Sequence, residues 1–338
     1  MEQAAVIILN YNGTHFLEKF LPSVTKYSQG HRVIVVDNGS TDKSLHFLAT
    51  HYPGIEVLAF EKNHGYAGGY DLALQSIKNT YSILLNSDVE VTENWIDPVI
   101  QLMESQPQVV ACQPKILDYY RRGYFEHAGA SGGFIDKLGY PFCRGRMLTH
   151  LEKDHGQYDD AREVFWATGA CFFVKTAAYK SVGGFDTRLI AHMEEIDLCW
   201  RFHKAGYKVY CVPQSTVYHV GGGTMPVTNP HKTYLNFRNS TVVLYKNTPK
   251  QALWARVSVK IMLDLLAALV FILKRQPRNA QAVFQAVSHF LWNIQSWKRR
   301  KRSIKHDKQP KSNKYIYPGS MIVNYYLLRK RTFDKLNF

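Results

Sequence analysis

Apolar and polar positions alternate in blocks from the first residues onward. Ala5–Leu9 is a short apolar run that stops at the turn Asn10-Tyr11-Asn12-Gly13, the pattern of a strand and its exit. Phe16, Leu17, Phe20, Leu21 and Val24 have helical spacing, and Arg32–Val36 is a β-branched run that ends at Asp37-Asn38-Gly39-Ser40. A helix over 45–51, a strand over 56–60, a helix opening at Gly65 and a strand over 81–85 follow. Four strand–helix repeats in succession predict a mostly parallel α/β sheet with helices on both faces. Ligands on such sheets bind at the carboxyl ends of the strands, where the polar clusters of this chain fall.

Residues 106–160 change character: Gly, Tyr and Arg are frequent, helical period is absent, and hairpins and loops are expected. From Glu163 the pattern returns as an apolar run over 169–174, a helix over 176–181, the turn Gly183-Gly184-Phe185-Asp186, a helix over 194–205 and strands near 209–212 and 215–219. No internal repeat is visible. After Tyr245 the chain reads as helical and basic.

Charge divides the chain at the same place. The 338 residues hold 42 Lys and Arg against 27 Asp and Glu, a formal net charge of +15. Of these, 19 basic and 3 acidic residues lie in 250–338, which leaves 23 basic and 24 acidic in 1–249. The chemistry therefore belongs to a near-neutral globular part, and the basicity describes only the last 89 residues. Hydrophobic residues at 46 % exclude a disordered chain. Five cysteines without a CxxC pair are expected as buried, reduced thiols. No basic segment precedes the first apolar run, so no signal peptide is expected.

Four polar groups are candidates for chemistry. Asp37, at a strand end, suits hydrogen bonds to a ribose or base, or else it caps the next helix with Ser40 or Thr41. Asn86-Ser87-Asp88 ends another strand and suits a divalent cation holding a diphosphate, or a plain turn; Glu90 is a further candidate ligand. Glu194-Glu195-Ile196-Asp197 opens a helix. Its acidic residues complement the helix dipole, and one of them facing a cleft is a candidate general base. His219 precedes Val220-Gly221-Gly222-Gly223 and is either structural or a metal ligand. A dinucleotide-binding site is disfavoured, because the first turn lacks GxGxxG.

In this order, and with Asn63-His64-Gly65-Tyr66-Ala67-Gly68-Gly69 between the first two, these blocks resemble the family 2 glycosyltransferases, closest to their rhamnosyltransferase-like branch. The resemblance covers about residues 3–240. It implies the GT-A nucleotide-sugar-binding fold, with a donor half over 1–105 and an acceptor-binding and catalytic half over 106–245; the charge and helical pattern add a basic helical extension over 246–338. It further implies that Leu9, Asn10, Tyr11, Asp37, Asn63, Gly65, Asn86 and Ser87 bind the nucleotide sugar, and that Asp88 and His219 hold Mg2+ or Mn2+. Glu195 is implied as the base, with Glu194 as alternative, and Trp166, Gly169 and Asp186 are expected on the acceptor side. Asn86 stands where relatives usually carry Asp, and Asp71 where they often carry Asn. The implied reaction is an inverting transfer to a glycan or lipid-linked acceptor in cell-surface polysaccharide assembly. The alternative is a non-catalytic binding protein of the same fold.

The extension carries its own expectation. Arg256, Lys260 and Asp264 recur every four residues and form a polar stripe on an amphipathic helix too interrupted to span a membrane. Val283, Phe284, Val287, Phe290, Leu291, Ile294 and Trp297 form an apolar face that runs into Lys298-Arg299-Arg300-Lys301-Arg302. These features suit the anionic inner face of the cell membrane, with a helix packed on the catalytic part or a nucleic-acid arm as competing readings. A cytoplasmic, peripheral enzyme is expected, without nucleic acid as partner.

Overall fold

The computed structural model describes residues 3–221, 229–303 (side chains through 300) and 315–338. The N-terminal elements are β1 (Ala4–Asn10), α1 (Thr14–Tyr27), β2 (Arg32–Asp37), α2 (Ser44–His51), β3 (Glu56–Ala59), α3 (Gly65–Ser76), β4 (Tyr81–Asn86), β5 (Val89–Val91) and α4 (Asp97–Ser105). Strands β3, β2, β1 and β4 are neighbours in that order and parallel. In β1, Ala5 and Ile7 face α3 and the catalytic half, while Ala4, Val6 and Ile8 meet Leu17, Leu21 and Val24 of α1. Covering on both faces explains why this strand reads as an unbroken apolar run.

The sheet continues through β6 (Val109–Asp118), β11 (Arg162–Val164), β12 (Cys171–Lys175) and β13 (Lys208–His219). Strand β12 lies antiparallel between β4 and β6, and β13 runs parallel to β6, so the sheet is parallel on the donor side and mixed beyond it. The two short strands expected over 209–219 are one strand, with a register shift between Val212 and Thr216. A second sheet joins β7 (Gly133–Asp136), β8 (Pro141–Cys143), β9 (Arg146–Met147) and β10 (His150–Leu151) to β14 (Ile316–Tyr317). Helices α5 (Thr176–Ser181) and α6 (Glu194–Lys204) complete this part of the chain, with all five cysteines buried as free thiols.

Four helices follow: α7 (Pro230–Asn247), α8 (Lys250–Leu273), α9 (Pro277–Trp292) and α10 (Ile294–Ser303). They are built into the body. Lys246 of α7 is buried between Asp186 (2.5 Å) and Asp197 (3.0 Å), and Arg201 also holds Asp197 at 3.0 Å. Burial raises the Asp197 carboxyl, but Lys246 and Arg201 outweigh it and hold this group well below the usual range. The chain end is locked as well: β14 pairs with β7, and Phe333 and Phe338 pack on Phe134 at ring distances of 5.3 and 5.4 Å.

Two helices of the extension depart from the pattern of a free surface helix. The apolar face over 282–297 is divided, with Val283, Phe290 and Trp297 buried and Phe284 and Leu291 left 47 and 49 % exposed. On α8 the polar stripe is the inner face: Lys260 and Asp264, each 1 % exposed, pair at 2.5 Å beside Thr241 and Tyr140. Among the described residues, no helix is long and apolar enough to cross a membrane.

Candidate active site

The donor side is assembled by strand ends in register. Asn10 pairs with Asp37 across β1 and β2, and Leu9 with Asn86 across β1 and β4, so all four sit at one edge of the sheet. Asp37 is buried; Ser40 donates its backbone N–H to Oδ2 (3.0 Å) and Asn10 its Nδ2 to Oδ1 (3.2 Å). Asn38 extends the network, donating to Asn63 Oδ1 and to the Gly65 carbonyl, both at 3.1 Å. Gly39, at φ +76°, passes so close to Lys62 that a Cβ would lie 2.6 Å from its carbonyl carbon. Tyr11 is exposed at the mouth, and Ser87 stands across from Gly13. Asp37 braces its own loop at the carboxyl edge of the sheet, and neither it nor Ser40 or Thr41 caps the next helix, which begins at Ser44 after Lys43.

Asp88 and His219 are 131 positions apart and meet because β5 doubles back on β13, pairing Val89 with His219. His219 Nε2 lies 3.2 Å from Asp88 Oδ1, and Nδ1 lies 3.2 Å from Glu126 Oε2. Burial lowers the imidazole's proton affinity, but the two carboxylates more than reverse this and raise it well above the ordinary value. Gly221, at φ +70°, leaves room for Glu126, whose Oε1 would lie 2.6 Å from a Cβ there. Among the described residues, no set of three His, Cys, Asp or Glu side chains converges on one metal-sized point. With Nε2 relieved of its proton, one carboxylate oxygen and one imidazole nitrogen 3.2 Å apart fit an edge of a divalent ion's coordination sphere. Glu90 points elsewhere and is bound by Arg122 at 2.9 Å.

Glu194 and Glu195 begin α6. Burial lifts Glu195 to about 7, and burial together with the charge of Glu195 lifts Glu194 well above the ordinary carboxylate range. One oxygen of each, Oε2, is buried without a hydrogen-bond partner among the described residues, and so is His192 Nε2. Tyr66 joins this pair to the donor side. Its ring follows Gly65, its hydroxyl donates to the Gly169 carbonyl at 2.7 Å, and both glutamates act on it electrostatically. A Cβ on Gly169 would collide with that hydroxyl at 2.6 Å.

The approach to α6 is strained: Ile190, His192 and Met193 have φ of 68°, 69° and 73°. Left-handed geometry in such side chains persists only where the surroundings hold it. Here α7 does so, as Asn239 Nδ2 reaches the carbonyls of Leu189, Ala191 and His192 at 2.8 Å each, and Arg238 those of Arg188 and Leu189. Asp71, the departure from the expected Asn, accepts from the Tyr179 hydroxyl at 2.9 Å, and that hydroxyl accepts from the Phe185 N–H.

Two residues expected toward the acceptor lie inside the protein. Trp166 is buried with its indole donating to the Phe134 carbonyl at 2.9 Å, because its spacing serves the core. Asp186 is buried against Lys246 and Arg300, where it ties α7 and α10 to the catalytic half. Glu126, Tyr66, His192 and Asn239 were not legible as site residues. Glu126 and Asn239 reach the site only through tertiary contacts that no local spacing announces.

A mixed sheet whose strand ends carry this polar edge, with acidic groups at both sides of it, defines a glycosyltransferase of the GT-A fold. Two solved structures share that fold: GalNAc-T7 with UDP, GalNAc and Mn2+ (TM-score 0.59, 15 % identity, 93 % of this chain and 59 % of that one), and a mannosyltransferase from Pyrobaculum calidifontis in complex with GDP-Man and Mn2+ (TM-score 0.52, 14 % identity, 86 % and 87 %). Residues 5–182, more than half of the chain, match Glycosyl transferase family 2, and the protein belongs to that family. It is similar to the N-acetylglucosaminyl-diphospho-decaprenol L-rhamnosyltransferase of Mycobacterium tuberculosis, with 28 % identity over 230 residues, 63 % of this chain and 75 % of that protein.

Proposed function

We propose that this glycosyltransferase moves a sugar, with inversion, from a nucleotide-sugar donor to a hydroxyl of a glycan or lipid-linked acceptor, at an anionic membrane surface, in polysaccharide assembly. The observation that carries the reading is the carboxylate pair at the start of α6, shifted toward neutrality and linked through Tyr66 and Gly65 to the strand-end pocket. The pocket of Leu9, Asn10, Tyr11, Asp37, Asn63, Gly65, Asn86 and Ser87 receives the nucleotide sugar. Asp88 and His219 would hold Mg2+ or Mn2+. When bound, that ion neutralises the charge that grows on the leaving diphosphate.

Glu195 takes the proton of the acceptor hydroxyl. The oxygen attacks the anomeric carbon, and the bond to the diphosphate breaks on the opposite face with its electron pair leaving on the nucleotide. Glu194, held protonated beside it, leaves the single negative charge of the pair on Glu195. A base near neutrality is matched to proton transfer at pH 7 and contributes roughly 10²–10⁴-fold. A lipid-linked acceptor agrees with the decaprenol-linked substrate in the name of the mycobacterial relative.

The test is a panel of nucleotide sugars with Mg2+, Mn2+ or chelator, with the anomeric configuration of the product read by NMR. Metal-dependent transfer with inversion is expected, and Asp88→Ala should weaken both donor binding and transfer. A retained configuration would contradict the single displacement.

A further inference from the structure

Helix α8 is inside out. Its Lys260 and Asp264 are buried, and its outward side carries Trp254, Met262, Leu266, Leu269 and Leu273, between 51 and 75 % exposed. A surface helix normally shows the opposite arrangement, with its apolar stripe on the core and its charges in water. Contiguous exposed apolar surface of this kind marks an interaction site. The inner side is fully committed: the Lys260–Asp264 pair contacts Tyr140 and Thr241, so the helix cannot roll over without stranding two charges.

The border of this face identifies what covers it. At its C-terminal end lie the exposed cations Lys274, Arg275 and Arg278, and no acidic residue occurs between Asp264 and Asp307. Trp292, 90 % exposed at the end of α9, adds an interfacial aromatic. A second copy of the chain would bring like charges together at this edge, whereas lipid phosphates complement them. A helix of 24 residues, about 36 Å long, with one apolar side and cations at its rim has the form of an interfacial helix lying in the plane of a bilayer.

We propose that the outward face of α8 inserts into an anionic lipid monolayer, with the Lys274–Arg278 turn on the headgroups. This deepens the reading of an enzyme that works at a membrane, and of the two helices expected at the lipid it selects α8. The lipid is recognised by an anionic headgroup over an acyl layer, and no particular headgroup is required.

The experiment is flotation of the full chain with vesicles of phosphatidylcholine alone and of phosphatidylglycerol with phosphatidylethanolamine. Two variants at exposed positions are compared with it, Leu266→Glu/Leu269→Glu and Lys274→Glu/Arg278→Glu, with donor binding measured calorimetrically as a check on the fold. The wild type should float with the anionic vesicles. The first variant should lose at least tenfold in partitioning, and the second should lose its preference for anionic lipid, both with donor binding unchanged. Unchanged flotation of the first variant would overturn the proposal. So would a wild-type dimer that this variant splits into monomers, which would make the face a self-interface. Failure of the wild type to bind any nucleotide sugar would overturn the functional reading instead and leave the vesicle result standing; circular dichroism and the melting curve then report the fold.

Discussion

Glu194 and Glu195 show how much one pair of side chains can decide. Capping alone accounts for acidic residues in a first helical turn, and the sequence allowed that reading equally well. Burial distinguishes the three carboxylates: Asp197, three positions after Glu194, is neutralised by Lys246 and Arg201, while Glu194 and Glu195 rise without a compensating cation among the described residues. Two predictions follow in pH. Activity should increase as pH rises through about 7, because the base works only when ionised. Stability should run the other way. A carboxyl raised in the folded state keeps its proton there after the unfolded chain has lost it, so stability falls as pH climbs from 4.5 to about 7. Glu195→Gln should therefore melt above the wild type at pH 8, by about 1–3 kcal/mol given partial exposure, and together with it at pH 4. Equal melting at both values would contradict the shift.

At the scale of elements, strands were more legible than helix faces. A strand buried on both sides announces itself as an apolar run, and β1, β2 and β4 stand where the sequence placed them. For a helix, periodicity reveals a stripe but not which way it turns. Lys260 and Asp264 look like a solvated face until Tyr140 and Thr241 are seen beside them. The same limit hid the role of α7, whose Asn239 grips three carbonyls of the strained segment before α6. Asn239→Ala removes a polar group that steadies three left-handed residues, each worth roughly 1–3 kcal/mol of strain. It should lower kcat by tenfold or more with little change in donor affinity, and weaken protection of the 189–193 amides in hydrogen exchange. A variant with normal kcat would show that α6 keeps its place without this grip.

At the scale of the molecule, the charge boundary near residue 250 is not a boundary of packing. Composition distinguishes a neutral part from a basic one, yet Lys246, Arg300, β14 and the Phe333–Phe338 end all reach into the catalytic half. Such contacts join residues up to about two hundred positions apart, and a local pattern does not encode them. Phe333→Ala should lower the stability of the whole protein by about 3 kcal/mol, in a single transition shared by near-ultraviolet signals from both halves. Two separated transitions would mean that the extension folds apart. The exposed apolar face of α8 is thus carried by a frame continuous with the catalytic part.

The proposed displacement turns on Glu195 as its base. Single-turnover transfer by Glu195→Gln, with donor binding measured on the same protein, tests it most directly. Donor affinity should stay within about twofold of wild type while transfer falls roughly 10²–10⁴-fold. Transfer at the wild-type rate would contradict the account.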